Sequence, residues 1–341
     1  MKNISLHVAT ITKAVVRFVT AVSIISLASC ADTTPADEEV GPYTVSMIEK
    51  NVYHIQDYNS SYPAGPVLDA DGKLVGFNNC SDIYLIVGKK KALLIDLSNN
   101  IQWADNAAES LRKLVAERSE GRELIVTFTH NHGDHIGMLH AYTEDPNSTS
   151  GAGSKVHFAL PETDFSALIS KFPANQCSYI NGGHVFELGG INVDVIDVPG
   201  HTNGSVVFSI QGRDIILTGD AIGSGQGVWI FHADGFKQYA TSVPQLIEWV
   251  KNPSNGVSQE ALRIYGGHYW QRVGLPEMKD GEELGMTYLR DMNQLIENIK
   301  AGTVTTEPAN LGRPGLDTYF RHGTACIVWN GEQAKQFAAG L

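Results

Sequence analysis

Cysteine is scarce in this chain. There are four in 341 residues, at Cys30, Cys80, Cys177 and Cys326, and none stands in a C-x-x-C pair. That pattern argues against a thiolate metal site. Charge is also sparse, at 18% of residues, and its balance is acidic, with a formal net charge of −12. The clustered Lys and Arg that a phosphate backbone demands are missing, so no nucleic-acid partner is expected. There is no internal repeat, and no low-complexity tract beyond a short segment after residue 30. The apolar run Phe18 to Leu27 extends for only about ten residues, too short to cross a bilayer. The glycine-rich run Gly223-Ser224-Gly225-Gln226-Gly227 has no Lys-Ser/Thr after it, so it is not a phosphate cradle. What remains is ordinary for a globular protein: 43% apolar residues and enough length for one large domain or two.

The short apolar run has the length of a secretory h-region, and Lys2, Lys13 and Arg17 are the only charges before it. It ends in Leu27-Ala28-Ser29-Cys30, which resembles the lipobox of bacterial lipoproteins. The resemblance implies a signal peptide over residues 1–29, cut before Cys30, and a lipid on that cysteine. The protein would then be exported and anchored to a bacterial membrane, facing the periplasm or the cell exterior. The alternative is an ordinary signal peptide with an incidental cysteine. Removing residues 1–29 takes away three cations and no anion, which deepens the net charge from −12 to −15. Residues 30–44, with the acidic stretch Asp32 to Pro42, are expected to be a flexible tether, and residues 45–341 the folded domain. An oxidising compartment permits one disulfide among Cys80, Cys177 and Cys326, but the spacing selects no pair.

Within the domain, Val45 to Gln56 alternates as a strand does. Asp57 to Asn79 is a long connection rich in Gly, Pro, Asn and Asp, either a loop overhanging a site or a passive hairpin insertion. Ile83–Val87 and Ala92–Leu97 form a hairpin pattern around Gly88-Lys89-Lys90-Lys91. Ala104, Ala107, Ala108, Leu111, Leu114 and Val115 make the apolar stripe of an amphipathic helix. A strand is expected at Lys155–Ala159, a helix from Asp164 as N-cap to Phe172, and a hairpin over Val185–Val198 turning at Gly189-Gly190. Longer helices are expected at Phe236–Val250 and Glu282–Ile299, with a closing strand at Ala325–Trp329.

The chemistry is concentrated at strand ends. The apolar run Glu123 to Phe128 leads into Thr129-His130-Asn131-His132-Gly133-Asp134-His135. His130 and His132 share a side of an extended chain, and Gly133 permits the turn that brings Asp134 and His135 back. Imidazoles and a carboxylate this dense suit a borderline divalent metal, zinc first. The pattern repeats at Pro199-Gly200-His201-Thr202, Thr218-Gly219-Asp220 and Gly266-Gly267-His268, each following an apolar strand. The carboxyl ends of strands in β/α layers are where ligand sites form.

These motifs, His130-x-His132-x-Asp134-His135 followed in order by His201, Asp220 and His268, resemble those of the metallo-β-lactamase-fold superfamily, from about Val45 to the C-terminus. The resemblance implies an α+β fold, a four-layer αββα sandwich with its site at one edge of the two sheets. It assigns His130, His132 and His201 to one metal and Asp134, His135 and His268 to another, with Asp220 bridging. Two zinc ions per chain are implied, with iron or manganese as alternatives. A shared hydroxide between two metals attacks a carbonyl, and Asp134 accepts or relays a proton. Asp220 stands where a zinc β-lactamase subclass has a thiolate, which favours the dinuclear glyoxalase II-like and lactonase-like branches. His132 stands where the flavodiiron branch has glutamate.

The expected function is hydrolysis of a small ester, thioester, lactone or β-lactam outside the cytoplasm. A mononuclear iron persulfide dioxygenase-like enzyme is the alternative, and a lipid-anchored zinc-binding protein without catalysis is a third. Trp229 and Phe231, just after the glycine run, are candidates for the substrate pocket. Tyr269 and Trp270 are candidates for support of the site, and His232 reads as equally a surface residue. His157, His184 and His322 read as surface or hydrogen-bonded histidines.

Overall fold

Alternation along the central strands divides their side chains between separate apolar cores, and those cores stack the layers. The computed structural model describes residues 36–68, 71–143, 149–150, 154–272 and 284–340. The expected signal peptide, residues 1–29, and Cys30 lie outside them. Along Asp82–Val87, Ile83, Leu85 and Val87 face one way and Tyr84 and Ile86 the other. The first set packs with Leu94, Val126 and Phe158 against Leu111, Leu114 and Val115 of the helix Ala107–Ser119. The second set meets Val193, Val195, Phe208 and Leu217 of a second sheet. That sheet's other face, through Val207, Ile216 and Ile264, packs on the helices Ala233–Lys251 and Met286–Lys300. Helix, sheet, sheet and helix follow in that order, the expected αββα sandwich.

The first sheet has eight strands in the order Glu38–Val40, Tyr43–Glu49, Val52–Gln56, Asp82–Val87, Lys91–Ile95, Glu123–Thr127, His157–Pro161 and Cys177–Ile180. Its first five strands pair antiparallel and its last four pair parallel. The second sheet has five, in the order Val185–Glu187, Asn192–Asp197, Val206–Ile210, Ile215–Gly219 and Arg263–Gly266. A third sheet of four strands was foreseen only at Ala325–Trp329. It pairs Val228–Trp229 in parallel with Ile327 and Val328, and continues through Thr318–His322 and Thr305–Pro308.

Several boundaries differ from the sequence reading for identifiable reasons. Val45 to Gln56 is two antiparallel strands, because Asn51 takes a left-handed φ of 63° and turns the chain without interrupting the alternation. Part of the stretch expected to be a tether is structured, since Glu38–Val40 pairs with Tyr43–Val45 through the turn at Gly41. The long connection contains a hairpin, Gly65–Leu68 with Leu74–Asn78. The helix expected from Asp164 begins at Glu162 and becomes a 3₁₀ turn over Ser166–Lys171, and Asp164 does not cap it. Among the described residues no helix is long and apolar enough to cross a membrane.

Candidate metal centre

Four loops that follow the strands Glu123–Thr127, Asn192–Asp197, Ile215–Gly219 and Arg263–Gly266 bring seven donor side chains together. Ligand atoms of His130, His132, His201 and Asp220 lie within 4.8 Å of one another, and those of Asp134, His135 and His268 form a second group to the same limit. Asp220 stands between the groups. Its Oδ1 is 3.3 Å from His135 Nε2, and its Oδ2 is 3.3 Å from His268 Nε2 and 3.5 Å from His201 Nε2. The seven residues named from the sequence are therefore brought to one place.

Each imidazole is aimed by what its outer nitrogen touches. His130 Nδ1 bonds Thr129 Oγ1 at 3.0 Å, and His135 Nδ1 bonds Asp96 Oδ2 at 2.9 Å. His201 Nδ1 bonds the Trp229 carbonyl at 2.9 Å, and His268 Nδ1 bonds the carbonyls of Asn79 and Cys80 at 3.2 and 3.3 Å. In all four rings this leaves Nε2 facing the centre, with the tautomer fixed by the bonded nitrogen. His132 presents Nδ1 instead, 2.9 Å from His201 Nε2.

The donor set fits a divalent metal. His130 Nε2 and His135 Nε2 are buried without a hydrogen-bond partner, which is costly unless something else accepts their lone pairs. A Cβ on Gly267 would strike the Asp220 carboxylate and the His135 ring, so the backbone there leaves room that a side chain would fill. Burial and the neighbouring His201 hold His132 down to about 4, so it is neutral and able to ligate at ordinary pH. Burial opposes charge on His135 and His268 as well. There, though, the carboxylates outweigh it, Asp220 and Asp96 for His135 and Asp220 and Asp134 for His268, and both pKa values lie well above the ordinary histidine range. Burial works against ionised Asp134 and Asp220 too, yet the adjacent His268 and His135 hold both low.

Gly133 departs from expectation. It is not among the glycines with positive φ, so the turn does not depend on it. It lines the cavity, and a Cβ there would meet open space.

The cavity over the centre has a volume of about 740 Å³. Trp229 and Phe231 line it, and the Phe231 ring centre is 5.5 Å from those of both His132 and His201. Trp270, Gln271, Leu311 and Arg313 line it as well. Tyr269 lies under the site, its N–H donating to Asp82 Oδ2 at 2.7 Å. The other four histidines singled out in the sequence are elsewhere. His232 caps the helix Ala233–Lys251 by accepting from Gly235 N, His157 bonds Ser178, His322 meets Asn298, and His184 stacks edge-on against Phe186.

Three supporting residues escaped the sequence reading. Asp96 accepts from Thr129 N and Oγ1, both at 2.7 Å, as well as from His135. Its position directly after a strand, like Asp220, was the available signal. Asp164 accepts from Asn131 N, Thr202 Oγ1 and Gly204 N, binding the loop of His130 and His132 to the loop of His201. Asn79 donates to Asp134 Oδ2 at 2.6 Å. Neither of these two carries a local signal. Cys80, Cys177 and Cys326 are all free thiols.

Comparison with known proteins places this geometry. Residues 81–247 match the family model of the metallo-beta-lactamase superfamily, a span that holds six of the seven donors. A hydroxyacylglutathione hydrolase of Fuscovulum blasticum is 29% identical over 38% of this chain and 46% of its own length. The acyl-coenzyme A thioesterase MBLAC2 of Gallus gallus is 22% identical over 50% of this chain and 68% of its own. Of these two, the hydrolase is therefore matched over less than half its length. A solved metallo-beta-lactamase from Pontibacter korlensis superposes with a TM-score of 0.50 at 18% identity, covering 75% of this chain and 99% of that one. Residues 81–247 are thus similar to the metallo-beta-lactamase superfamily, and the chain has the metallo-β-lactamase fold.

Proposed function

We propose that the protein is a zinc-dependent hydrolase in which water attacks the carbonyl carbon of a small ester, thioester, lactone or β-lactam and the bond from that carbon to oxygen, sulfur or nitrogen breaks, outside the cytoplasm. The observation that carries this reading is the pair of donor groups with Asp220 between them, opening into one cavity. Structural zinc sites are closed by four ligands, whereas seven donors beside a cavity suit catalysis. The similarity to a hydrolase and a thioesterase supports the same reaction class.

In this reading His130, His132 and His201 would hold one metal and Asp134, His135 and His268 the other, with Asp220 placed between the two groups. When bound, the metals supply Lewis-acid activation of water and of the substrate carbonyl. The chain supplies the rest. Imidazoles locked at their outer nitrogens lose little freedom on ligation. Asp134 faces the cavity and is placed to accept a proton through Oδ1 or Oδ2 during cleavage. Trp229 and Phe231 give an apolar wall that shields the reacting carbonyl from bulk water. Among the described residues Arg313 is the one Lys or Arg in that lining, which favours a substrate with an anionic end.

The test is a hydrolysis screen with a β-lactam, a homoserine lactone and a glutathione thioester, with metal analysis of the same preparation. About two zinc per chain and loss of turnover in His132→Ala and Asp220→Ala are expected. Wild-type turnover in both variants would sink the reading, and one iron per chain would point to the dioxygenase-like alternative. Within the active set, Arg313→Gln should raise KM for carboxylate-bearing substrates more than for their neutral amides. Lipid attachment at Cys30 belongs to the same proposal, supported by the Leu27-Ala28-Ser29-Cys30 sequence. Metabolic labelling with palmitate should disappear in Cys30→Ser.

A further inference from the structure

Asn79 directly follows the inserted hairpin, and among the described residues its hydrogen bonds to donor side chains all fall in one of the two groups. Its Nδ2 donates to Asp134 Oδ2 at 2.6 Å, while its main-chain carbonyl accepts from His268 Nδ1 at 3.2 Å and from Gln271 Nε2 at 3.0 Å. Two of the three donors in the second group are therefore oriented by this one residue. The first group is oriented otherwise, His130 by Thr129 and His201 by the Trp229 carbonyl.

The position of Asn79 is itself enforced. Asn78 Nδ2 donates to the Asp57 carbonyl at 2.7 Å, and Cys80 N donates to Asn78 Oδ1 at 3.0 Å, closing a turn in which Cys80 has a φ of 56°. The buried Asp57 carboxylate accepts from Ser98 Oγ at 2.7 Å and Asn99 Nδ2 at 2.6 Å, which fixes the start of the insertion to the loop after Lys91–Ile95. A left-handed, non-glycine residue between two donor-bearing loops persists only when its surroundings hold it.

We propose that Asn79 is a positioning residue that sets metal affinity at the second group, Asp134, His135 and His268, and leaves the first group untouched. The proposal rests on the reading that both groups hold metal. An outer partner of a ligand typically contributes about 10–100-fold in metal affinity. With the side-chain amide removed, the Asp134 carboxylate must lose rotational freedom when it ligates, while His268 keeps the main-chain carbonyls of Asn79 and Cys80 as partners.

The experiment is titration of Zn2+ into chelator-stripped protein against a competing chromophoric chelator, for wild type, Asn79→Ala and the size-matched Asn79→Leu. Leu68→Ala, on the exposed arm of the same hairpin, serves as control. The expected result is two binding events in wild type and in the control. In both Asn79 variants one constant should be unchanged and the other about 10–100-fold weaker. The unchanged constant reports an intact fold. Two unaltered constants in the variants, or equal weakening of both, would overturn the role of Asn79 alone. Fewer than two events in wild type would overturn the two-metal reading and this proposal with it, and that failure shows before any variant is made.

Discussion

Asp96 is buried with a left-handed φ of 63°, a conformation that disfavours a side chain, and its carboxylate receives three donors. Through Thr129 it reaches His130, and directly it reaches His135, one ligand candidate from each group. Asp96→Asn should therefore weaken both zinc constants, by about 10–100-fold each, in contrast to the Asn79 variants. Asp164 has only donors around it, so an amide must turn its NH₂ toward at least one of them. Asp164→Asn should cost about 1–3 kcal/mol, read as a lower thermal midpoint of the metal-free protein. Metal ligation also needs unprotonated imidazoles, and the neighbouring carboxylates raise His135 and His268. Zinc loading near neutral pH should release protons, seen as a binding enthalpy that changes with buffer ionisation enthalpy.

At the scale of elements, the site depends on how strands end. The turn Gly266-Gly267-His268 follows the strand Arg263–Gly266, and Gly267 leaves the space that Asp220 and His135 occupy. Gly267→Ala should lower metal content while far-ultraviolet circular dichroism stays that of wild type, because the Cβ meets donor side chains rather than the apolar core. The third sheet acts on the opposite wall. Pairing of Val228 and Trp229 with Ile327 and Val328 carries Trp229 and Phe231 to the cavity, and Tyr319 OH donates to Gln226 Oε1 at 3.2 Å within the glycine run. The sequence showed the strand Ala325–Trp329 but not its partner. A two-residue strand has no periodicity to detect.

For the molecule as a whole, three apolar layers set both stability and its limits. Burial raises the phenols of Tyr43 and Tyr239 well above the ordinary range, and Tyr58 up to about 12. As pH climbs from the ordinary value of 10.0 toward 12, the unfolded chain loses protons that the folded chain keeps, so stability must fall through that window. The share of the tyrosinate absorbance that belongs to Tyr43, Tyr58 and Tyr239 should appear only with unfolding. The sequence by itself determined the seven donors and their placement after apolar strands, because period-two alternation, glycine turns and histidine spacing are local signals. Only the tertiary structure decided which outer partner aims each donor. Asn79 reaches Asp134 across 55 residues, and His268 reaches Asn79 across 189. Asp96 reaches His135 across 39. Such pairs are chosen by how two sheets stack, and no spacing along the chain records that.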